Sequence, residues 1–364
     1  MAGKRNVHCN AGHSRDIVKG IGQRFIRAAH QNMTRKVNHS LLHRAKTNKR
    51  DEFYTLYPDI ERELQHYESH FRDKVIFCNC DDPRVSNFFK YFADNFHRLG
   101  LRKVVCSCYR KYDPDLFSPS LPEHGFCYEY TGTENIHPNA EDITYFCGDG
   151  DFRSEESITL LKQADIVVTN PPFSLFREYI AQLMQYLKKF LIISSINAIT
   201  YKEVFTLIQA NRIWLGVNFG RGISGFIVPE NYELYGTETR IDSSGNRIIS
   251  PNNCLWLTNL DNFIRHEFIP LTRKYYGHES EYPCYDNYPA INADRTQDIP
   301  ADYDGAVGVP ITFLHKYNPE QFEILGFRKG LDGRDLAIHG KCPYFRILIR
   351  GKKLPPDSSE GNHR

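Results

Sequence analysis

An apolar run cut short by two prolines sets the strongest constraint on how this chain can fold. Asp165–Thr169 reads D-I-V-V-T and leads directly into Asn170-Pro171-Pro172-Phe173. Ile166, Val167 and Val168 are the short apolar run expected of a strand buried on both faces. Neither proline has an N–H to give to a ladder, so the strand must stop at this point. Beyond it, Phe176, Tyr179, Ile180, Leu183 and Leu187 recur on one face of a helix. A strand, a forced stop and an amphipathic helix place Asn170 and Phe173 at the carboxyl edge of an α/β sheet, where such sheets build their sites.

The chemistry of that edge follows from its atoms. Asn170 offers a side-chain carbonyl acceptor, the backbone carbonyl of Pro171 a second one, and Phe173 a flat apolar face. Two acceptors beside an aromatic plate suit a planar group carrying an –NH₂, either a nucleobase amine or a carboxamide. The plainer alternative is a strand-ending turn whose Asn caps the next helix.

Further strands and helices alternate around this junction. Strands are expected at Lys74–Cys78, Lys103–Cys108, Tyr145–Cys147, Phe190–Ser194 and Arg212–Val217. Helices are expected at Asp59–Phe71, Ser86–Phe96, Glu155–Lys162 and Tyr201–Gln209. This alternation predicts an α/β fold with a doubly wound, mostly parallel sheet. After Gly216 the pattern changes to Gly, Tyr, Asn and Arg, with a hairpin expected at Arg240–Ile249 around Ser244-Gly245-Asn246 and a strand at Cys254–Leu260. Residues 261–350 carry few helical periods and predict a less regular lobe.

Bulk properties narrow the class. No apolar stretch approaches the ~20 residues that cross a bilayer, and the amino terminus has no apolar signal region. The C-x-C pairs Cys78/Cys80 and Cys106/Cys108 end apolar strands, which predicts small buried thiols in a reducing cytoplasm and no metal site. The net charge is only +2, yet residues 1–50 hold twelve Lys and Arg against one acid, Asp16. Such an arm marks contact with nucleic acid or a flexible basic tail; Lys46 and Lys49, next to the fold, are candidate DNA contacts.

The Asn-Pro-Pro-Phe run resembles the Asp/Asn-Pro-Pro-Phe/Tyr motif of amino-group methyltransferases that use S-adenosyl-L-methionine. The resemblance implies catalytic roles for Asn170, Pro171, Pro172 and Phe173: the Asn side chain and first Pro carbonyl hold both amino hydrogens, and the aromatic ring stacks on the base. A methyl donor needs a cradle at the same edge. Candidates are Asn79, Asp81 and Asp82 in the turn after the first strand, although acids stand there where related enzymes carry a Gly-rich loop; helix capping is the alternative for both acids. Asp149, Asp151 and Phe152 in Gly148-Asp149-Gly150-Asp151-Phe152 could bind the donor's adenine. Tyr54 and Thr55, in F-Y-T, resemble the segment that covers the donor's carboxylate.

The order F-Y-T, C-D-D-P, G-D-G-D-F, N-P-P-F now stands beside several longer stretches: D-D-P-R-V-S-N-F-F-K-Y-F (81–92), W-L-G-V (214–217), G-F-I-V-P-E (225–230) and S-P-N-N-C-L-W-L-T-N-L (250–260). Over roughly Asn38–Arg350 the chain resembles the EcoRI-type adenine-specific DNA methyltransferases. That resemblance implies a cytoplasmic, monomeric enzyme that methylates the exocyclic N6 amine of a flipped adenine in a short palindromic duplex site, and its closeness suggests GAATTC as the target. It also implies a cognate type II restriction endonuclease as functional partner. The expected organisation is a basic extension at 1–37, a donor-binding catalytic domain at 38–219, a target-recognition lobe at 220–350 and a disordered tail at 351–364. Arg221, Arg240 and Arg247 in the Gly-rich region are candidate phosphate or guanine contacts, or simply solvated arginines. Two rivals remain: an RNA-base or protein-glutamine methyltransferase, and a non-catalytic DNA-binding protein.

Overall fold

The structure, a computed structural model, describes residues 54–109, 124–133, 136, 138–220, 222–228, 239–250 and 253–352. The predicted extension 1–37, nearly all of the predicted tail, and Lys46, Lys49 and Arg221 lie outside these residues. The chain divides into two compact units. The first comprises the chain up to Leu56, Phe71–Phe190 and Gly225–Ser250; the second comprises Tyr57–His70, Leu191–Ser224 and the chain from Pro251. These borders differ from those drawn in the sequence: the 225–250 segment belongs with the first unit, and Tyr57–His70 and residues 191–219 belong with the second.

The first unit carries strands β1 (Tyr54–Thr55), β2 (Val75–Cys78), β3 (Lys103–Cys108), β4 (Phe126–Tyr130), β5 (Ile143–Tyr145) and β6 (Ile166–Thr169). Five of them lie in the order β5-β4-β3-β2-β6. β2 is parallel to both neighbours, with Cys78 opposite Cys106 and Phe77 opposite Val167. All four residues of β2 and of β6 are buried, as their unbroken apolar runs require. β3–β4 and β4–β5 are antiparallel. The expectation of a mostly parallel sheet is met in part: β3-β2-β6 pair in parallel, and β4 and β5 extend the edge as antiparallel strands. β4 was not anticipated.

Three helices of this unit follow strands: α1 (Asn87–Asp94), α2 (Glu155–Gln163) and α3 (Phe176–Gln185). Ser86 caps α1 by accepting from the N–H groups of Phe88 and Phe89, and Ser154 caps α2 from Ser157 N. α1 buries Phe88, Phe89, Tyr91 and Phe92, and Phe92 meets Phe71 edge to face at 5.3 Å. Truncating one such ring to Ala costs about 3–5 kcal/mol. β1 pairs with Phe226–Val228, which pairs in turn with Arg247–Ile249 and then Thr239–Ile241. The expected hairpin is present, and Asp242 closes its turn by accepting from Ser244 N and Asn246 N.

In the second unit, Cys254–Thr258 pairs antiparallel with the strand ending at Ser195 and with Trp214–Leu215. A separate four-stranded sheet runs in the order Ala290–Asn292, Ala306–Pro310, Arg346–Gly351, Phe322–Phe327. Residues 261–350 are thus more regular than expected. The expected helix Asp59–Phe71 is broken into helix Tyr57–Leu64, a 3-10 turn and a short last helix. Its Glu63 is fully buried and accepts from Val217 N, Asn218 N, Asn218 Nδ2 and Tyr67 Oη. Burial pushes the Glu63 carboxyl up, and these four donors oppose that push. Asp59 accepts from Ser224 N and Oγ, so one helix pins the Gly-rich loop at both ends. No described helix is long and apolar enough to cross a membrane.

Candidate active site

Because β3, β2 and β6 are parallel, their carboxyl ends share one edge of the first unit. Two loops meet there. Thr169, the last residue of β6, donates its hydroxyl to Asp81 Oδ2 at 2.5 Å, joining the Asn170–Phe173 turn to the loop after β2. Pro172 starts a 3-10 turn over Phe173–Leu175, with Leu175 N donating to Pro172 O at 3.1 Å. The turn's own bond therefore uses the second proline carbonyl. Asn170 and Phe173 are both partly buried, and the Asn170 amide oxygen is enclosed by protein.

The loop after β2 is built from satisfied carboxylates. Asp81 Oδ1 accepts from Ser86 Oγ at 2.7 Å, and Asp81 N donates to Ser107 O at the end of β3. Burial raises the Asp81 carboxyl to about 6, while the Thr169 and Ser86 hydroxyls pull it down. Asp82 is clamped by Arg84, whose Nε and Nη2 donate to its two oxygens at 2.9 and 2.6 Å. The Arg84 guanidinium lies 4.8 Å from the Phe126 ring centre. Asn79 Oδ1 accepts from the hydroxyl of Tyr179 on α3. Neither acid caps α1; Ser86 does, and Asp81 steadies the cap.

The Gly148–Phe152 segment reaches this region by an indirect route. In chain order it lies between β5 and β6, but three strands separate β5 from β6 in the sheet. The loop crosses back instead. Gly150, at φ +79°, packs so closely that a Cβ there would stand 2.7 Å from Cys108 O. Phe152 is buried 5.1 Å from the Tyr179 ring, and Gln182 Nε2 donates to its carbonyl. Asp149 is exposed and accepts from Asp151 N. Asp151 repeats the clamp of Asp82: Arg153 Nε and Nη2 donate to its two oxygens at 2.8 and 2.6 Å. Burial raises the Asp151 carboxyl, but Arg153 outweighs it and holds the group below its ordinary value.

Tyr54 and Thr55 form β1, and Asn87 Nδ2 donates to Thr55 O at 2.8 Å, fixing β1 to the start of α1. Two buried hydroxyls at this edge have no hydrogen-bond partner among the described residues: Thr55 Oγ1 and Ser107 Oγ, on residues 3% and 1% exposed. Ser107, Tyr179, Arg84 and Arg153 were not anticipated as parts of the site. Ser107 comes in on β3 and Tyr179 on α3, whereas the Asp-x-Arg spacing that places Arg84 and Arg153 is visible in the sequence. Cys78 and Cys106 are buried neighbours whose thiols burial pushes up.

Of the candidate DNA contacts, Arg240 and Arg247 lie on the Thr239–Ile249 hairpin. Arg240 is opposite Ile248 and Arg247 opposite Ile241, so the two arginines project from opposite faces.

Comparison with known proteins identifies the family of the chain. Residues 41–352 match the family model described as adenine-specific methyltransferase EcoRI. The chain is 67% identical over 324 residues to the type II methyltransferase M.EcoRI of Escherichia coli, covering 88% of this chain and 99% of that protein. It is 35% identical to M.MgeORF184P of Mycoplasma genitalium and 35% identical to M.MpnI of Mycoplasma pneumoniae, both type II methyltransferases, over 85% of this chain and 98% of each relative. No solved structure matches. With the family model matching most of its length, the chain belongs to the EcoRI family of adenine-specific methyltransferases.

Proposed function

We propose that the shared carboxyl edge of the first unit transfers a methyl group from S-adenosyl-L-methionine to the N6 amine of a flipped adenine in duplex DNA. The Thr169–Asp81 hydrogen bond carries this reading, because it seats the amine-binding turn and the donor loop against each other. The fold supports it through the parallel β3-β2-β6 core, which we read as the centre of a methyltransferase-type, doubly wound domain. The 220–350 segment is then the target reader, with Arg240 and Arg247 contacting DNA from different faces and Arg221, Lys46 and Lys49 contributing from outside the described residues.

The donor fits the residues present. Thr55 Oγ1 and Ser107 Oγ are buried polar atoms without partners among the described residues; the Thr55 carbonyl is tied to the start of α1 and the Ser107 carbonyl to the loop after β2. A ligand with a carboxylate, an amine and hydroxyls supplies such partners. Tyr54 and Thr55 would hold its amino-acid end, with Asn79, Asp81 and Asp82 shaping the floor and Asp149, Asp151 and Phe152 framing its base. When bound, the donor supplies an electrophilic methyl on a sulfonium.

The protein's own residues do the rest. Extruding the adenine costs a few kcal/mol. Stacking on Phe173 returns about 1–3 kcal/mol of that. Asn170 Oδ1 and the Pro171 carbonyl accept the two amine hydrogens. This draws the nitrogen lone pair out of conjugation and points it at the donor edge. Pro171 and Pro172 keep those acceptors rigid, so positioning supplies much of the acceleration. The oriented dipoles stabilise the cation that forms, and the acidic product ammonium releases its proton to water. Acting as a monomer in the cytoplasm, the enzyme would protect a palindromic site, GAATTC on the family resemblance, from a cognate endonuclease.

Incubation with methyl-labelled donor and, separately, duplex DNA, RNA or protein tests this. Label on N6 of adenine in duplex DNA is expected; label only on RNA or on a protein glutamine would overturn it.

A further inference from the structure

The second unit holds an aromatic and cationic loop whose residues are so far without individual roles. It links strands Phe322–Phe327 and Arg346–Gly351. Within Arg328–Arg346 the chain carries five Lys or Arg against two Asp. Both acids are engaged locally: Asp335 is held by Arg328 and Lys329, and the exposed Asp332 accepts from Asn287 Nδ2 and Arg334 N. Arg346 pairs with Asp294, which leaves the loop positive on balance, with Arg334 and Lys341 exposed.

The loop also shows aromatic faces to solvent. Tyr344 is 70% exposed yet stacks on Phe345 at 5.0 Å and 26°. Phe345 is braced by Arg328, whose guanidinium lies 4.4 Å from its ring centre, and by Phe327 at 5.9 Å. Phe327 stacks in turn on Phe205 at 4.6 Å, which anchors the column in the unit's interior. Arg328, Tyr344, Phe345 and Arg346 line one cleft of about 300 Å³. A rigid, solvent-facing ring over a braced aromatic, edged by cations, is the surface that binds a nucleobase by stacking and its phosphates by charge.

We propose that Arg328–Arg346 is a DNA-contacting surface, on which Tyr344 stacks against a base while Arg334 and Lys341 meet phosphates. This rests on the DNA-methylating function proposed above and adds residues to it. The positive balance selects a polyanion, and the exposed ring selects one that carries planar bases.

The test is fluorescence anisotropy with a labelled cognate duplex over a range of salt, using the full chain and a non-reactive donor analogue. Tyr344→Ala should weaken DNA binding about tenfold, whereas Tyr344→Phe should bind as the parent does. Arg334→Gln and Lys341→Gln should each reduce the salt slope by about one. Donor affinity, measured by calorimetry, should stay unchanged in all four variants and so reports intact folding. If Tyr344→Ala, folded by that criterion, binds the duplex like the parent with the salt slope preserved, the surface is not a DNA contact. If the parent binds no DNA at all, the failure lies in the proposed function instead.

Discussion

The two loops that meet at the carboxyl edge are built on opposite principles. The loop after β2 is rich in charge, and its charges are spent on protein partners: Asp81 on the Ser86 and Thr169 hydroxyls, Asp82 on Arg84. The turn after β6 carries no charge and holds its shape through two prolines, leaving an amide and an aromatic ring as its chemical content. A loop made from internally satisfied carboxylates is a shaped floor. A loop made rigid by proline can devote its side chains to a substrate. Acidic residues beside a site are thus poor guides to which residues touch the ligand, whereas a proline-locked amide is a good one.

Substitutions can break or sharpen that contrast. The largest effect belongs to Asn170→Ala, which should lower methyl transfer by at least about a thousandfold, the upper range for losing one preorganised group. A tritiated-methyl filter assay measures this, and the variant should still bind DNA. Asp81 comes next, through stability. Its folded carboxyl sits near 6, above its ordinary value, so its stabilising contribution is full below pH 3.8 and fades as pH rises through about 6. The ligand-free protein should lose roughly 3 kcal/mol across that window from this residue. Urea unfolding of Asp81→Asn should show a flatter dependence from pH 4 to 7; an unaltered slope would mean Asp81 is not the titrating group.

Phe173→Ala should weaken capture of the extruded base by about 1–3 kcal/mol. A 2-aminopurine at the target position would report it as a change in fluorescence, and an unchanged signal would remove the stacking role. The smallest effect is expected for Arg153→Gln. Its ion pairs with Asp151 and Glu178 are half exposed, so thermal unfolding should shift by less than about 1 kcal/mol. A large loss there would show that the Asp-x-Arg clamps carry more than local loop shape.

Local signals in the sequence located the elements that position the site. The boundaries of β3 and β6 and the starts of α2 and α3 follow from apolar runs, a serine cap and the double proline, all of which act within a few residues. What escaped depends on pairing across distance. The F-C-Y-E-Y of β4 gives only a short alternating pattern. The return of Gly148–Phe152 across β3 rests on the close approach of Gly150 to Cys108, which no local period encodes. The sheet of the second unit hides in three- to six-residue strands separated by Tyr- and Pro-rich loops. Ser107 is a one-atom case: a hydroxyl on a strand looks ordinary until burial leaves it without a partner among the described residues.

The most direct measurement is a crystal structure of this protein with a non-reactive donor analogue and a duplex containing its target adenine. With Asn170 as the amine holder, the extruded N6 should lie about 2.7–3.2 Å from Asn170 Oδ1 and from the Pro171 carbonyl, with Phe173 parallel to the base. An adenine still stacked in the duplex, or bound away from residue 170, would contradict it.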